Sequence, residues 1–188
     1  MTFDVSLTLP ATWQPLPLDV GRRAAVRTMV RSAAARGAPA GAFAGRLAAV
    51  TDYAADAARR AGAFFCASRL RPGPAVATVT LQIVDGAFPV PDGVSWQALQ
   101  AELPGSDVVR LPIGVAIRFI DRAAGSVQYV VPLASRWLVA TFVSVPASGI
   151  AELAGESAEI VQTLDISPAG SSSPRPAANR DETGPTGR

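Results

Sequence analysis

The sequence predicts an α+β domain in which helices cover an antiparallel β-sheet. Strand-like and helical segments follow in the order strand, two helices, two strands, helix, three strands, helix. The late strands are joined by short turn-rich connections, which suit antiparallel neighbours and cannot carry a parallel crossover. A doubly wound parallel sheet would instead alternate strand and helix and usually show a glycine-rich first turn. An apolar fraction of 49% over 188 residues fits one folded unit with a sizeable core.

Phe3-Asp4-Val5-Ser6-Leu7-Thr8-Leu9 alternates large apolar and polar residues, the period of a strand with one wet face, and Pro10 ends it. Trp13 and Pro15-Leu16-Pro17-Leu18 read as an extended linker. Asp19 is positioned to cap a helix running to about Ala35, with Val26, Met29, Val30 and Ala33 inward and Gly37 as its stop. A second helix over Ala42 to Arg60 places Phe43, Leu47, Val50, Tyr53 or Ala54, and Ala57 at helical spacing.

Ala63 to Leu70 and the β-branched run Val76 to Val84, separated by Arg71-Pro72-Gly73-Pro74, predict a strand pair. After a loop marked by Pro89, Pro91 and Asp92-Gly93, the segment Ser95 to Leu103 predicts a short helix. Val108 to Phe119 (broken at Pro112 and Gly114), Val127 to Leu133, and Trp137 to Val145 read as further strands. A last helix, capped by Ser148, turns Ile150, Leu153, Ala154, Ser157, Ile160, Val161 and Leu164 inward and Glu152, Glu156 and Glu159 outward. The domain is expected over residues 1–167, and the Pro/Ser/Gly-rich stretch 168–188 is expected to be a disordered tail.

Composition restricts the chemistry. The chain has no His and no Lys, and its one cysteine is Cys66. An imidazole base, a lysine Schiff base and a Cys/His metal set are therefore unavailable. Phosphate loops, dinucleotide glycine patterns and nucleophile elbows are absent as well. Cys66 lies in Ala63-Phe64-Phe65-Cys66-Ala67, where a thiol behaves as a small buried hydrophobe. Asp52 and Asp56, one helical turn apart beside Arg59 and Arg60, read as an ion-paired surface. No catalytic residue, cofactor or metal ligand is assigned, and the expectation is a protein that is not an enzyme.

All seventeen basic residues are arginines, a usage of the GC-rich, actinobacterial type rather than a nucleic-acid signature. Charge is divided along the chain: residues 1–71 carry +6 and residues 72–167 carry −5. Complementary halves can attract each other within the fold, or a basic helical face can meet an acidic partner. With no signal-peptide pattern at Met1-Thr2-Phe3-Asp4 and no apolar run of about 18 residues, the expected location is the cytoplasm without membrane insertion.

An opening strand closed by Pro10-Ala11-Thr12-Trp13, and a late strand Arg136-Trp137-Leu138-Val139-Ala140-Thr141-Phe142 ahead of a terminal helix, resemble the Mog1/PsbP-like α/β sandwich group. That group includes actinobacterial LpqN-type proteins, and the resemblance spans about residues 3–165. It implies an antiparallel sandwich and an adaptor or assembly role, and it transfers no catalytic residue because its motifs are packing motifs. Some intracellular relatives resemble accessory proteins of specialised secretion systems. Exported LpqN-type proteins carry a lipobox cysteine, which Met1 to Thr12 lacks.

Two function classes follow. In the first, the chain is a non-catalytic interaction or assembly factor that binds an acidic protein surface through Arg22, Arg23, Arg27 and Arg31, with no nucleic-acid partner. In the alternative it is a small-ligand-binding domain, with an apolar pocket lined from the Trp96 and Trp137 regions and Arg118 as the polar anchor.

Overall fold

A computed structural model describes residues 3–19, 21–35, 42–69, 76–86, 105–133 and 135–168. The predicted helix over Ser95 to Leu103, the Trp96 region, and residues 169–188 of the expected tail lie outside them. The α+β architecture is present. Seven antiparallel strands form the main sheet, and their sequence order differs from their spatial order.

At the centre, β4 (Val76–Asp85) and β8 (Arg136–Val145) pair over ten residues, from Val76 opposite Val145 to Asp85 opposite Arg136. Outward on one side lie β3 (Phe65–Arg69) and β2 (Trp13–Pro15). On the other lie β7 (Ser126–Leu133), β6 (Gly114–Asp121) and β5 (Ser106–Leu111). A separate two-stranded sheet pairs β1 (Phe3–Ser6) with β9 (Asp165–Pro168). The helices are α1 (Arg22–Ala35), α2 (Ala42–Arg60) and, after a 3₁₀ turn over Ala147–Gly149, α3 (Ile150–Val161).

Strand alternation distributes the helices over both faces, because successive side chains point to opposite sides. Ala67 of β3 and Ala77, Val79 and Leu81 of β4 join Phe142, Tyr129, Leu153 and Ile160 in the core beneath α3. There the Trp13 and Tyr129 rings stand edge-on to Phe142 at 6.2 and 6.0 Å. The neighbouring Cys66 and Val76 join Leu16, Val26, Met29, Val30 and Leu47 in a second core beneath α1 and α2.

Several expectations are corrected. The linker after Pro10 contains β2, an edge strand, where a proline's missing N–H interrupts no inner ladder. The broken Val108–Phe119 segment is two strands separated by a turn at Pro112 and Ile113. Pro168, expected in the tail, pairs with Phe3 in β9. Ser148 lies in the 3₁₀ turn, and Gly149 holds the cap position of α3 without a side-chain bond.

The inner stripe of α2 is Leu47, Thr51, Ala55 and Ala58, while Tyr53 is 70% exposed. A polar residue can hold that place because Thr51 Oγ1 meets Ser68 Oγ at 3.5 Å, and Ser68 donates to the Ala77 carbonyl. Val26, Met29 and Val30 of α1 are buried as their spacing predicts. No helix among the described residues is long and apolar enough to cross a membrane.

Candidate functional site

The arginines of α1 separate into two groups by helical spacing. Arg22 faces α2, where its Nε donates to Asp52 Oδ1 at 2.8 Å and its Nη1 to Asp56 Oδ1 at 2.9 Å. Its side chain is only 13% exposed, so it fastens the two helices together and is not displayed to a partner. Arg23, Arg27 and Arg31 recur every fourth residue and stand exposed on one stripe of α1. Arg23 lies 3.7 Å from Asp52 Oδ2 and is otherwise in solvent.

The carboxylates between the helices are shared. Asp56 also accepts from Arg59 at 3.5 Å and forms an ion pair with Arg60 at 3.1 Å, extending the ion-paired surface read from its spacing. Burial pushes the Asp56 carboxyl up, but the Arg22 hydrogen bond and the charges of Arg60 and Arg22 outweigh it and hold it below the ordinary value. The hydrogen bond to Asp52 raises the Arg22 guanidinium despite the opposing effect of burial.

Between α1 and α2 runs a groove made of two adjoining depressions. One, of about 250 Å³, has Val26, Ala48 and Ala49 beneath Arg23, Arg27 and Asp52. The other, of about 460 Å³, is lined by Asp19, Arg22, Arg23, Asp56 and Arg59. Arg23 borders both.

Of the residues assigned to a small-ligand pocket, Trp96 lies outside the described residues, and Arg118 and Trp137 are not brought together. Arg118 pairs across the sheet with Tyr129, and Trp137 with Pro132. Tyr129 and Pro132 are three residues apart on β7, so Arg118 and Trp137 point to opposite faces. Arg118 Nη2 donates to Asp107 Oδ2 at 2.7 Å, a cross-strand ion pair. That hydrogen bond raises the guanidinium above its ordinary value, with burial opposing and Tyr129 assisting. Trp137 Nε1 donates to the Gly86 carbonyl at 2.9 Å. A third depression, of about 560 Å³ between Gly105, Phe119, Arg122 and Gln128, includes neither residue.

Sequence reading missed a polar cluster under α3. Arg69 is 4% exposed, yet its Nη1 donates to Glu156 Oε2 at 2.6 Å and to Glu152 Oε1 at 3.1 Å. Trp13 Nε1 donates to Glu156 Oε1 at 2.7 Å. Glu152 and Glu156, expected to face only solvent, therefore join the acidic half of the chain to the basic half. The available signal was an arginine at the end of a short, mostly apolar strand, which needs an anionic partner once buried. Cys66 is buried, and that burial pushes its thiol up to about 12.

No family model matches the chain, and no curated protein matches it. Among solved structures it is similar to LpqN of Mycobacterium tuberculosis, described as involved in cell envelope biogenesis. The identity is 13%, the match covers 89% of this chain and 85% of that one, and the TM-score is 0.38. A likeness of that degree assigns no activity to the chain.

Proposed function

We propose that this chain is a non-catalytic accessory or assembly factor that binds an acidic protein surface through the outer face of α1 and α2. One observation carries the reading: Arg23, Arg27 and Arg31 form an exposed ladder beside a groove in which Asp52 and Asp56 are already engaged by Arg22. Concentrated charge of one sign steers and orients a partner of the opposite sign. The absence of histidine and lysine from the chain favours surface recognition over proton-transfer chemistry. The Mog1/PsbP-like resemblance of the opening and late strands accords with an adaptor role, in the cytoplasm and in association with a secretion system.

The test is affinity purification from the native host with the wild-type chain and with an Arg23→Glu, Arg27→Glu, Arg31→Glu variant that keeps the Arg22 clamp. The expected result is a partner with an acidic surface, retained by wild type and lost by the variant. Recovery of no partner, or equal retention by both chains, would refute the proposal.

A further inference from the structure

We infer that the groove between α1 and α2 receives an acidic amphipathic helix of the partner. The inference rests on the proposed function and specifies the form of the ligand at that face. At a rise of about 1.5 Å per residue, Arg23, Arg27 and Arg31 repeat at intervals of roughly 6 Å along α1. A helix lying alongside, with carboxylates one turn apart, presents the same interval.

The α2 side of the groove presents Ala48 and Ala49 beside Asp52 and Asp56. Along α2, Gly45, Ala49 and Tyr53 follow one another every fourth residue. A Cβ added at Gly45 would meet nothing within 4 Å, and Ala49 is exposed. These small residues allow a second backbone to approach the floor of Val26 and Ala48. One turn beyond Ala49, the 70% exposed ring of Tyr53 supplies an aromatic anchor of the kind that dominates protein contacts.

Charge completes the match. Asp52 and Asp56 between them serve Arg22, Arg23, Arg59 and Arg60. Among the described residues, Arg31 reaches only the Arg27 carbonyl and the Thr28 hydroxyl, both at 3.4 Å, and Arg27 makes no ion pair. The α1 side is thus basic with unspent charge, and the α2 side sets Ala48 and Ala49 beside carboxylates already paired with arginines. That is the complement of a helix with an acidic flank beside an apolar stripe, docked in a groove. A planar anionic lipid surface fits less well, because it cannot follow the groove down to Val26 and Ala48.

The experiment titrates the full chain against a fluorescein-labelled synthetic helix of about 15 residues, with Glu one turn apart along one flank and Leu along the next, read by fluorescence anisotropy. A peptide with Gln in place of each Glu, and vesicles of anionic phospholipid, are run alongside. Saturable binding of the Glu peptide is expected, weaker by about tenfold or more for the Gln peptide and for Arg27→Glu, Arg31→Glu protein. Tyr53→Ala is expected to weaken it by about fivefold or more. Both variants change exposed side chains, and unchanged circular dichroism establishes that they fold. Equal binding of the two peptides, indifference to Tyr53→Ala, or preference for the vesicles would overturn the inference. A native partner lost by the arginine-reversed chain, with no peptide binding, defeats the helical ligand and leaves the proposed function intact. Absence of both defeats both.

Discussion

A guanidinium in a nearly dry place needs carboxylates, and Arg69 finds two, Glu152 and Glu156, on a helix more than eighty residues further along the chain. Removing one member of a buried ion pair typically costs about 3–5 kcal/mol because the other is left uncompensated. Glu152 is 55% exposed and Glu156 21%, so water relieves part of that cost. Arg69→Ala is therefore expected to lower unfolding free energy by about 2–3 kcal/mol, measured by urea denaturation. Combined with Glu156→Gln, the loss is expected to fall short of the sum of the single losses, since the two side chains are coupled. A change below about 0.5 kcal/mol for Arg69→Ala would show that the pair is energetically idle. At this scale the sequence was legible where a residue's neighbours along the helix decide its place, as for Val26, Met29 and Val30. It was not legible where the partner is remote: nothing near Arg69 in the chain announces Trp13 or Glu156.

Single elements depend on their contacts as well as their spacing. Two glycines make the contrast. Gly125 closes the β6–β7 turn with φ +66°, and a Cβ there would lie 2.7 Å from Ala147 Cα and 2.8 Å from the Ser144 carbonyl oxygen. Gly155 is exposed within α3, and a Cβ there would meet nothing within 4 Å. Gly125→Ala is expected to destabilise by about 2 kcal/mol through backbone strain and crowding. Gly155→Ala is expected to stabilise by about 0.5–1 kcal/mol by reducing unfolded-state entropy. Opposite shifts in thermal midpoint check the pair, and shifts of the same sign would contradict the packing at the turn. The same dependence explains which elements could be read beforehand. The β3–β4 pair and α3 carry strong periodicity and were anticipated. In α2 the many alanines satisfy more than one inner stripe, and a Thr51–Ser68 contact decides between them. The strands β2 and β9 have three and four residues, too few for periodicity, and exist because of distant partners.

For the whole molecule, the division of charge becomes a tie between its parts through Arg69, Glu152 and Glu156, while Arg22 binds α1 to α2. Stability is therefore expected to vary with pH at both extremes. Asp56 is held below its ordinary value of 3.8. Its contribution is complete above that value and disappears as pH falls through the lower folded one. Cys66 behaves in the opposite sense, with its thiol raised from 9.0 to about 12. Its neutral burial contributes fully below 9.0, and that contribution is lost as the pH rises toward the folded value. Urea midpoints followed against pH are expected to fall at both ends, with the alkaline fall reduced in Cys66→Ala. An identical alkaline slope in that variant would rule out the thiol as its source. The overall α+β class was legible because turn-rich connections dictate antiparallel pairing. Placement of Arg118 and Trp137 on opposite faces was not, because it depends on a β6–β7–β8 register that periodicity within each strand leaves open.

The pairing of Phe3 with Pro168 has a practical consequence for engineering. The first and last described strands, β1 and β9, meet at one corner, so a fluorescent protein joined next to either one would report from the same place. A short Gly/Ser bridge across that corner is expected to permit a circular permutant opened between Ala123 and Ala124, where both residues are exposed. Such a permutant would retain every strand pairing while placing its new ends in the β6–β7 turn.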